Sequence, residues 1–310
     1  MTNILVTGAA GFVASELAGK LAKNSQYHVV IVDNLLTGEI KKVPVQNNVT
    51  FIKADVNDRE QMQPIFDKYA FDFVFHYAAM VGVLRTLANP VGVLNDVTGI
   101  KNILDLSRDN KVKRVFYASS SEVYGEPVEF PQNEETTPLN SRLPYAIVKN
   151  IGEAYLRSYE QEFGLPFTIF RFFNTYGIKQ SKDFVVSKFL KAALNNEDIT
   201  IYGDGSQSRT FCFVDDNVDA CVAAFEQNEH VNDVLNIGST IETSVLTLAE
   251  TIIRLTNSKS VIKHVDPLKD GDMTRRLPDN HKMLALLNRP LITLEEGIKR
   301  IIAQPQYILD

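Results

Sequence analysis

At 310 residues, with 45% hydrophobic and 23% charged side chains, the chain has the composition of an ordinary globular protein and room for two domains, or one larger domain with an appended lobe. A net charge of -6 leaves no overall basic field, which excludes general attraction to nucleic acid or an anionic membrane surface. A phosphorylated small molecule needs only a local arginine or a helix N-terminus and stays open. Cys212 and Cys221 have no His/Cys companions at zinc spacing, so neither a disulfide framework nor a metal is expected. No apolar run reaches eighteen residues and no leader pattern precedes the first strand, so the expectation is a cytoplasmic protein.

In chain order, short β-branched runs alternate with stretches of helical period. Ile4 to Thr7 is followed by a helix over Phe12 to Lys23, then by strands His28 to Asp33, Val49 to Ala54 and Phe73 to Tyr77. A helix is expected over Asn89 to Asp109, a strand over Arg114 to Ser119, a helix from Tyr145 to Phe163, and a strand over Phe167 to Phe172. This order implies right-handed crossovers and a doubly wound parallel sheet of the Rossmann type. The predicted division is a dinucleotide-binding domain over 1–173 and a smaller C-terminal substrate-binding lobe over 174–310, with segments returning to the first domain. Within the lobe, Gly203-Asp204-Gly205 marks a turn, and helices are expected near Leu246 to Thr256 and Leu294 to Ala303.

The first strand runs into Gly8-Ala9-Ala10-Gly11-Phe12-Val13-Ala14 and a helix follows at once. Gly8 and Gly11 would let a pyrophosphate approach the backbone, with the free N–H groups of the helix start at Phe12 and Val13 favouring negative charge. About one strand later, Asp33, followed by Asn34, ends the second strand, where a carboxylate accepts hydrogen bonds from the adenine ribose. That carboxylate would repel a ribose phosphate and no arginine adjoins it, so the expected cofactor is NAD rather than NADP.

TGAAGFVA near the start, DNLLTG at 33 to 38, HYAA at 76 to 79, SSSEVYG at 119 to 125, YAIVK at 145 to 149, RFFNTYG at 171 to 177, IYGDGSQSRTFCFVDD at 201 to 216 and NIG at 236 to 238 occur in this order. The chain resembles the NAD-dependent epimerase/dehydratase family of nucleotide-sugar enzymes, the extended branch of the short-chain dehydrogenases/reductases. It departs from the family's turn at Ala14, where the third glycine would stand. The resemblance implies that Asp55 and Val56 lie beside the adenine, that Ala78 and Ala79 line the dinucleotide path, and that Asn95 supports the sheet and cofactor region. Asp55 reads equally as a helix cap, and paired alanines as tight packing.

Tyr145 and Lys149 are four apart in a helical stretch, hence on one face a turn apart. An ammonium beside a phenol stabilises the phenolate, which can then act as general base on a sugar hydroxyl. The resemblance adds Ser120 as the hydroxyl that hydrogen-bonds the same sugar oxygen. The following pair is Ser121-Glu122, where glucose-type dehydratases carry Asp-Glu, and the missing acid argues against that reaction. Glu122 fits the family's decarboxylases and some dehydratases, or simply a carboxylate that orders its loop. For the nucleotide diphosphate the resemblance points to Asn174, Arg209 and one of the pair Arg275-Arg276, with Arg276 the choice. The stretch DMTRRLPD at 272 to 279 is similar to a decarboxylase segment, whereas YAIVK has the form common among epimerases. His76 reads as structural, and Phe170, Phe172, Phe173 and Tyr176 as core before sugar wall. The implied chemistry is oxidation at the sugar 4-hydroxyl to a 4-ketone, completed as a UDP-sugar 4-epimerase or, on a sugar acid, as a UDP-glucuronate decarboxylase. A non-catalytic NAD-binding sensor is disfavoured by the intact Ser120, Tyr145 and Lys149. Family members pair two helices per subunit into a four-helix bundle, so a homodimer is implied.

Overall fold

The computed structural model describes residues 1–82, 86, 88–266 and 275–309. The β-branched and aromatic runs become β1 (Thr2–Thr7), β2 (Tyr27–Asp33), β3 (Val49–Lys53), β4 (Phe73–His76), β5 (Arg114–Ser120) and β6 (Phe167–Phe172). Neighbours among them pair in parallel, with Leu5 opposite Val30 and Val74 and Phe116 opposite Phe75 and Thr168. The order across the sheet is β6-β5-β4-β1-β2-β3, with a seventh strand, Asp233–Ile237, beside β6. Strands buried on both faces need no polar alternation, which is why Ile4–Thr7, Val29–Asp33 and all of β5 read as unbroken buried runs. Strand order reverses at β1: β2 follows on one side and β4 lies on the other. The connections leaving β1 and β4 therefore diverge and leave a crevice at their C-terminal ends.

Helices cover both faces. On one, α1 (Phe12–Leu21) buries Leu17, Ala18 and Leu21, and the helix Val214–Glu226 packs Phe225 edge-on against Phe73, Phe75 and Phe116. On the other, Met62 and Phe66 of α2 (Arg59–Tyr69) meet Leu5, Val30, Val74 and Val115 in the main core. The predicted Asn89–Asp109 helix is instead two abutting helices, α3 (Pro90–Leu94) and α4 (Asp96–Asp109), joined through Asn95. Ile100, Ile103 and Leu104 of α4 join that core, as do Val148, Leu156 and Tyr159 of α5 (Pro144–Phe163). Phe170, Phe173 and Tyr176 are fully buried and belong to the core, whereas Phe172 is half-buried.

The chain partitions into two compact units. Met1–Gly125, Pro138–Phe172 and Val218–Leu235 form the first; Glu126–Thr137, Phe173–Asn217 and Asn236–Asp310 form the second. A single cut at 173/174 is therefore crossed twice by returning segments. The second unit contains short strand pairs, Ile199–Tyr202 with Ile262–Val265 and Ser208–Thr210 with Glu242–Ser244, and buries Phe189, Leu190, Leu248, Ile252, Ile298 and Ile301 between helices. Among the described residues no helix is long and apolar enough to cross a membrane, and no group of three or more His, Cys, Asp or Glu is gathered as metal ligands would be.

Candidate active site

The crevice begins at Gly8, which leaves β1 with φ +74 and donates its N–H to the Val32 carbonyl at 2.7 Å. A β-carbon there would lie 2.7 Å from the Ala78 backbone, so only glycine permits the two strand ends to approach so closely. Gly11, whose N–H returns to the Gly8 carbonyl at 3.0 Å, caps α1 without any side-chain bond, and the first turn of α1 carries no acidic residue. The N–H groups of that turn, including those of Phe12 and Val13, have no acceptor within the helix, an arrangement that favours negative charge. Ala14 is buried within α1, so the departure from a third glycine is absorbed by packing.

Asp33 ends β2 buried, accepting from the Ala10 N–H at 3.0 Å and the Leu35 N–H at 2.7 Å. It orders the glycine turn and still has lone pairs for two ribose hydroxyls. Asn34 donates to the Asp55 carboxylate at 3.1 Å, and Asp55 in turn accepts from the Asn57 N–H at 2.9 Å. The cap of α2 is Asp58, on the N–H groups of Glu60 and Gln61, so Asp55 is a turn residue at the sheet end rather than the helix cap. Val56 is buried in the core.

Beyond β4, the Thr7 hydroxyl accepts from the N–H groups of Tyr77 and Ala78 at 3.1 and 3.2 Å, leaving its proton for Nδ1 of His76 at 2.8 Å. Burial, reinforced by the Lys149 cation, pushes His76 down to about 3, so it is a neutral strut. Ala78 and Ala79 follow it, half-buried just beyond the C-terminal end of β4. Asn95 does not occupy the supporting place expected of it: it is exposed at the junction of α3 and α4. Its neighbour Asp96 turns inward, accepts the Met80 N–H at 2.7 Å, and is pushed up by burial while the Lys149 cation draws it down. One residue along a helix is a rotation of about 100°, enough to exchange faces.

Pro144 opens α5, so Tyr145 and Lys149 stand in its first two turns on one face. The Lys149 ammonium lies 5.8 Å from the Tyr145 ring centroid and 5.0 Å from that of Tyr117, and donates to the Ala118 carbonyl of β5 at 2.7 Å. Burial pushes Lys149 down to about 8, with Asp96 opposing. Ser120 ends β5 and caps the short 3-10 turn Ser121–Tyr124, its oxygen accepting the Glu122 N–H at 3.2 Å. Ser120, Glu122, Tyr145 and Lys149 therefore belong to one unit and to the adjoining ends of β5 and α5. Sequence reasoning missed Thr7 and Asp96; an acidic residue opening the apolar face of α4 was the available signal for the latter.

Asn174, Arg209 and Arg276 belong to the second unit. The Asn174 side-chain N–H₂ group is buried and has no hydrogen-bond partner among the described residues, as for a donor kept for a ligand. Arg209 lies half-buried in the strand Ser208–Thr210 and donates to the Ser208 carbonyl at 2.7 Å. The two candidate arginines separate by environment. Arg275 forks onto the Glu242 carboxylate at 2.6 and 2.8 Å on the surface, whereas Arg276 is buried, held by the backbone of Leu277 and Asp279 on Gln132. Asp272, Met273 and Thr274 of the decarboxylase-like stretch lie outside the described residues.

Residues 4–238 match the model of the NAD dependent epimerase/dehydratase family. A putative UDP-glucose 4-epimerase of Methanocaldococcus jannaschii is 36% identical, over 96% of this chain and 97% of its own. A UDP-N-acetyl-alpha-D-glucosaminuronate decarboxylase of Bacillus cytotoxicus is also 36% identical, over 96% of each chain. Among solved structures, a UDP-glucose 4-epimerase of Thermotoga maritima with UDP-glucose superposes over the whole of both chains, with a TM-score of 0.93 at 32% identity.

Proposed function

This chain belongs to the NAD dependent epimerase/dehydratase family, and within it we propose that it is an NAD-dependent UDP-sugar 4-epimerase acting through a 4-keto sugar. The observation that carries the chemistry is the pairing of Tyr145 with a buried Lys149 at the end of β5, beside Ser120. The glycine cradle, the uncapped start of α1 and the Asp33 carboxylate fit a dinucleotide: pyrophosphate at Gly8, Gly11, Phe12 and Val13, adenosine at Asp33, Asn34, Asp55 and Val56, and the nicotinamide half along Ala78, Ala79, Tyr145 and Lys149. When bound, NAD supplies a hydride acceptor that can return the hydride to the sugar. Tyr145 takes the proton of the 4-hydroxyl, the Lys149 ammonium stabilises the phenolate, and Ser120 holds the oxygen. Asn174, Arg209 and Arg276 are assigned to the nucleotide diphosphate, for which a planar guanidinium fork is suited.

A second reading, UDP-glucuronate decarboxylase, is supported by Glu122 two residues from Ser120 and by the buried Arg276. A 4-ketone makes a 5-carboxylate a β-keto acid, which loses carbon dioxide readily. The deciding experiment gives the purified protein UDP-glucose, UDP-N-acetylglucosamine and UDP-glucuronate in turn and follows the anomeric protons by NMR without added NADH. Galacto-configured products with all carbons retained establish the epimerase; a UDP-pentose establishes the decarboxylase. Tyr145→Phe should cost about 10²–10⁴-fold in turnover with NAD still bound, and unchanged turnover would sink the mechanism.

The same reading includes a homodimer built on α3, α4 and α5, where Val91, Leu94 and Ile147 are exposed apolar side chains, and a cytoplasmic location. Sedimentation that gives a monomer at micromolar concentration would remove the dimer.

A further inference from the structure

Below Tyr145 and Lys149, the next residue on the same face of α5 is Glu153, at the helical spacing i, i+4, i+8. It is almost fully buried, as is its partner Arg171 on β6, and the two meet through a fork: Arg171 Nε to Oε1 at 2.9 Å and Nη2 to Oε2 at 2.7 Å. The Ser119 hydroxyl, at the end of β5, donates to the same Oε1 at 2.6 Å. Arg171 also donates through Nη1 to the Tyr124 hydroxyl at 2.8 Å, with its guanidinium 4.8 Å from that ring's centroid. One carboxylate and one guanidinium thus tie together α5, β5, β6 and the Ser121–Tyr124 turn.

Each of those ties sits next to a group already assigned to the reaction. Ser119 adjoins Ser120, Tyr124 closes the turn that carries Glu122, and Glu153 lies one turn beyond Lys149. Packing sets how closely α5 approaches β5, since Gly152 lies against the Tyr117 hydroxyl where a β-carbon would come within 2.3 Å. A fork between two planar groups fixes both distance and direction, which apolar contact does not. A buried ion pair of this kind is in general no more stabilising than well-packed apolar side chains, so stability is a weak reason for having one here.

We propose that Glu153 and Arg171 are positioning residues: with Ser119 and Tyr124 they set the register of α5 on β5, and so hold Ser120 and Glu122 at working distance from Tyr145 and Lys149. This rests on the activity proposed above. Neither residue touches the reacting atoms, and the effect is on the rate of the bound complex, where a misplacement near 1 Å costs about 10²-fold.

The test is a double variant, Glu153→Met with Arg171→Leu, which removes both charges together and leaves no uncompensated ion. Thermal melting, NAD binding, kcat and KM are measured beside the wild type on whichever UDP-sugar the wild type converts. The inference expects NAD binding and KM near wild type, with kcat down by about 10-fold or more. A double variant that turns over at the wild-type rate overturns it, and so does a loss confined to KM. Should the double variant fail to fold, Ser119→Ala, which deletes a single hydroxyl, is expected to lower kcat several-fold at unchanged KM, and wild-type kcat there overturns the inference. A wild type inactive on every UDP-sugar would defeat the activity rather than the positioning. In that event, amide hydrogen exchange decides: faster exchange confined to residues 119–125 in Ser119→Ala supports the tie, and unchanged exchange removes it.

Discussion

The glycine turn after β1 and the inner face of α5 lie in the same unit and are built on opposite principles. At Gly8 the fold depends on atoms being absent, since the Ala78 backbone leaves no space for a β-carbon. On α5 it depends on charges being present, with Lys149 and Glu153 both buried and both tied to β5. The first region should answer chiefly to volume; the second should answer to charge and pH.

Gly8→Ala is the largest expected break. It forces a side chain into left-handed backbone and a 2.7 Å clash, costing roughly 3 kcal/mol in total and abolishing NAD binding, read by melting and by fluorescence titration with NADH. Should this variant bind NAD normally, the steric account of the turn fails. Lys149→Met should move stability the other way, by roughly 1–3 kcal/mol, while turnover is lost. The sign follows from burial: the folded lysine sits at about 8 against an unfolded value of 10.5, so the folded state carries a penalty for its charge below pH 8. That penalty fades between those two values, and the advantage of Met should vanish above pH 10.5.

Asp96→Asn sharpens the contrast on the charge side. The Asp96 carboxylate raises Lys149, so removing it lowers the lysine, and the alkaline fall of kcat/KM, expected near pH 8, should move to lower pH by about half a unit or more. A limb that stays in place would dissociate Asp96 from Lys149. The smallest effect is expected at Ala14→Gly, which restores the family's third glycine inside α1. Helix entropy should cost about 0.5–1 kcal/mol in melting, with NAD affinity unchanged.

What the sequence disclosed divides along the same line. The glycine turn was legible because its steric demand is local: a strand, two glycines and a helix start are contiguous. Tyr145 and Lys149 were legible because four residues make a helical turn. Asp96 was passed over beside Asn95 because one residue makes no difference in a polar pair of the sequence, yet on a helix it exchanges exposed for half-buried. Glu153 and Arg171 escaped notice because nothing in the sequence couples a residue on a helix to one on the next strand. The resemblance alone selects Arg276 over Arg275; the physical difference between them, one buried and the other paired with Glu242, is visible only in the fold.

The interleaving of the chain bears on how the protein is made. Once synthesis has passed β6, the strand that will lie beside it, Asp233–Ile237, has yet to leave the ribosome. Until then β6 presents a row of unpaired peptide groups along an apolar strand, a template for any other chain in the same state. Nascent chains stalled between Phe172 and Asp233 should therefore be the aggregation-prone species, and any chaperone dependence should concentrate in that window of elongation.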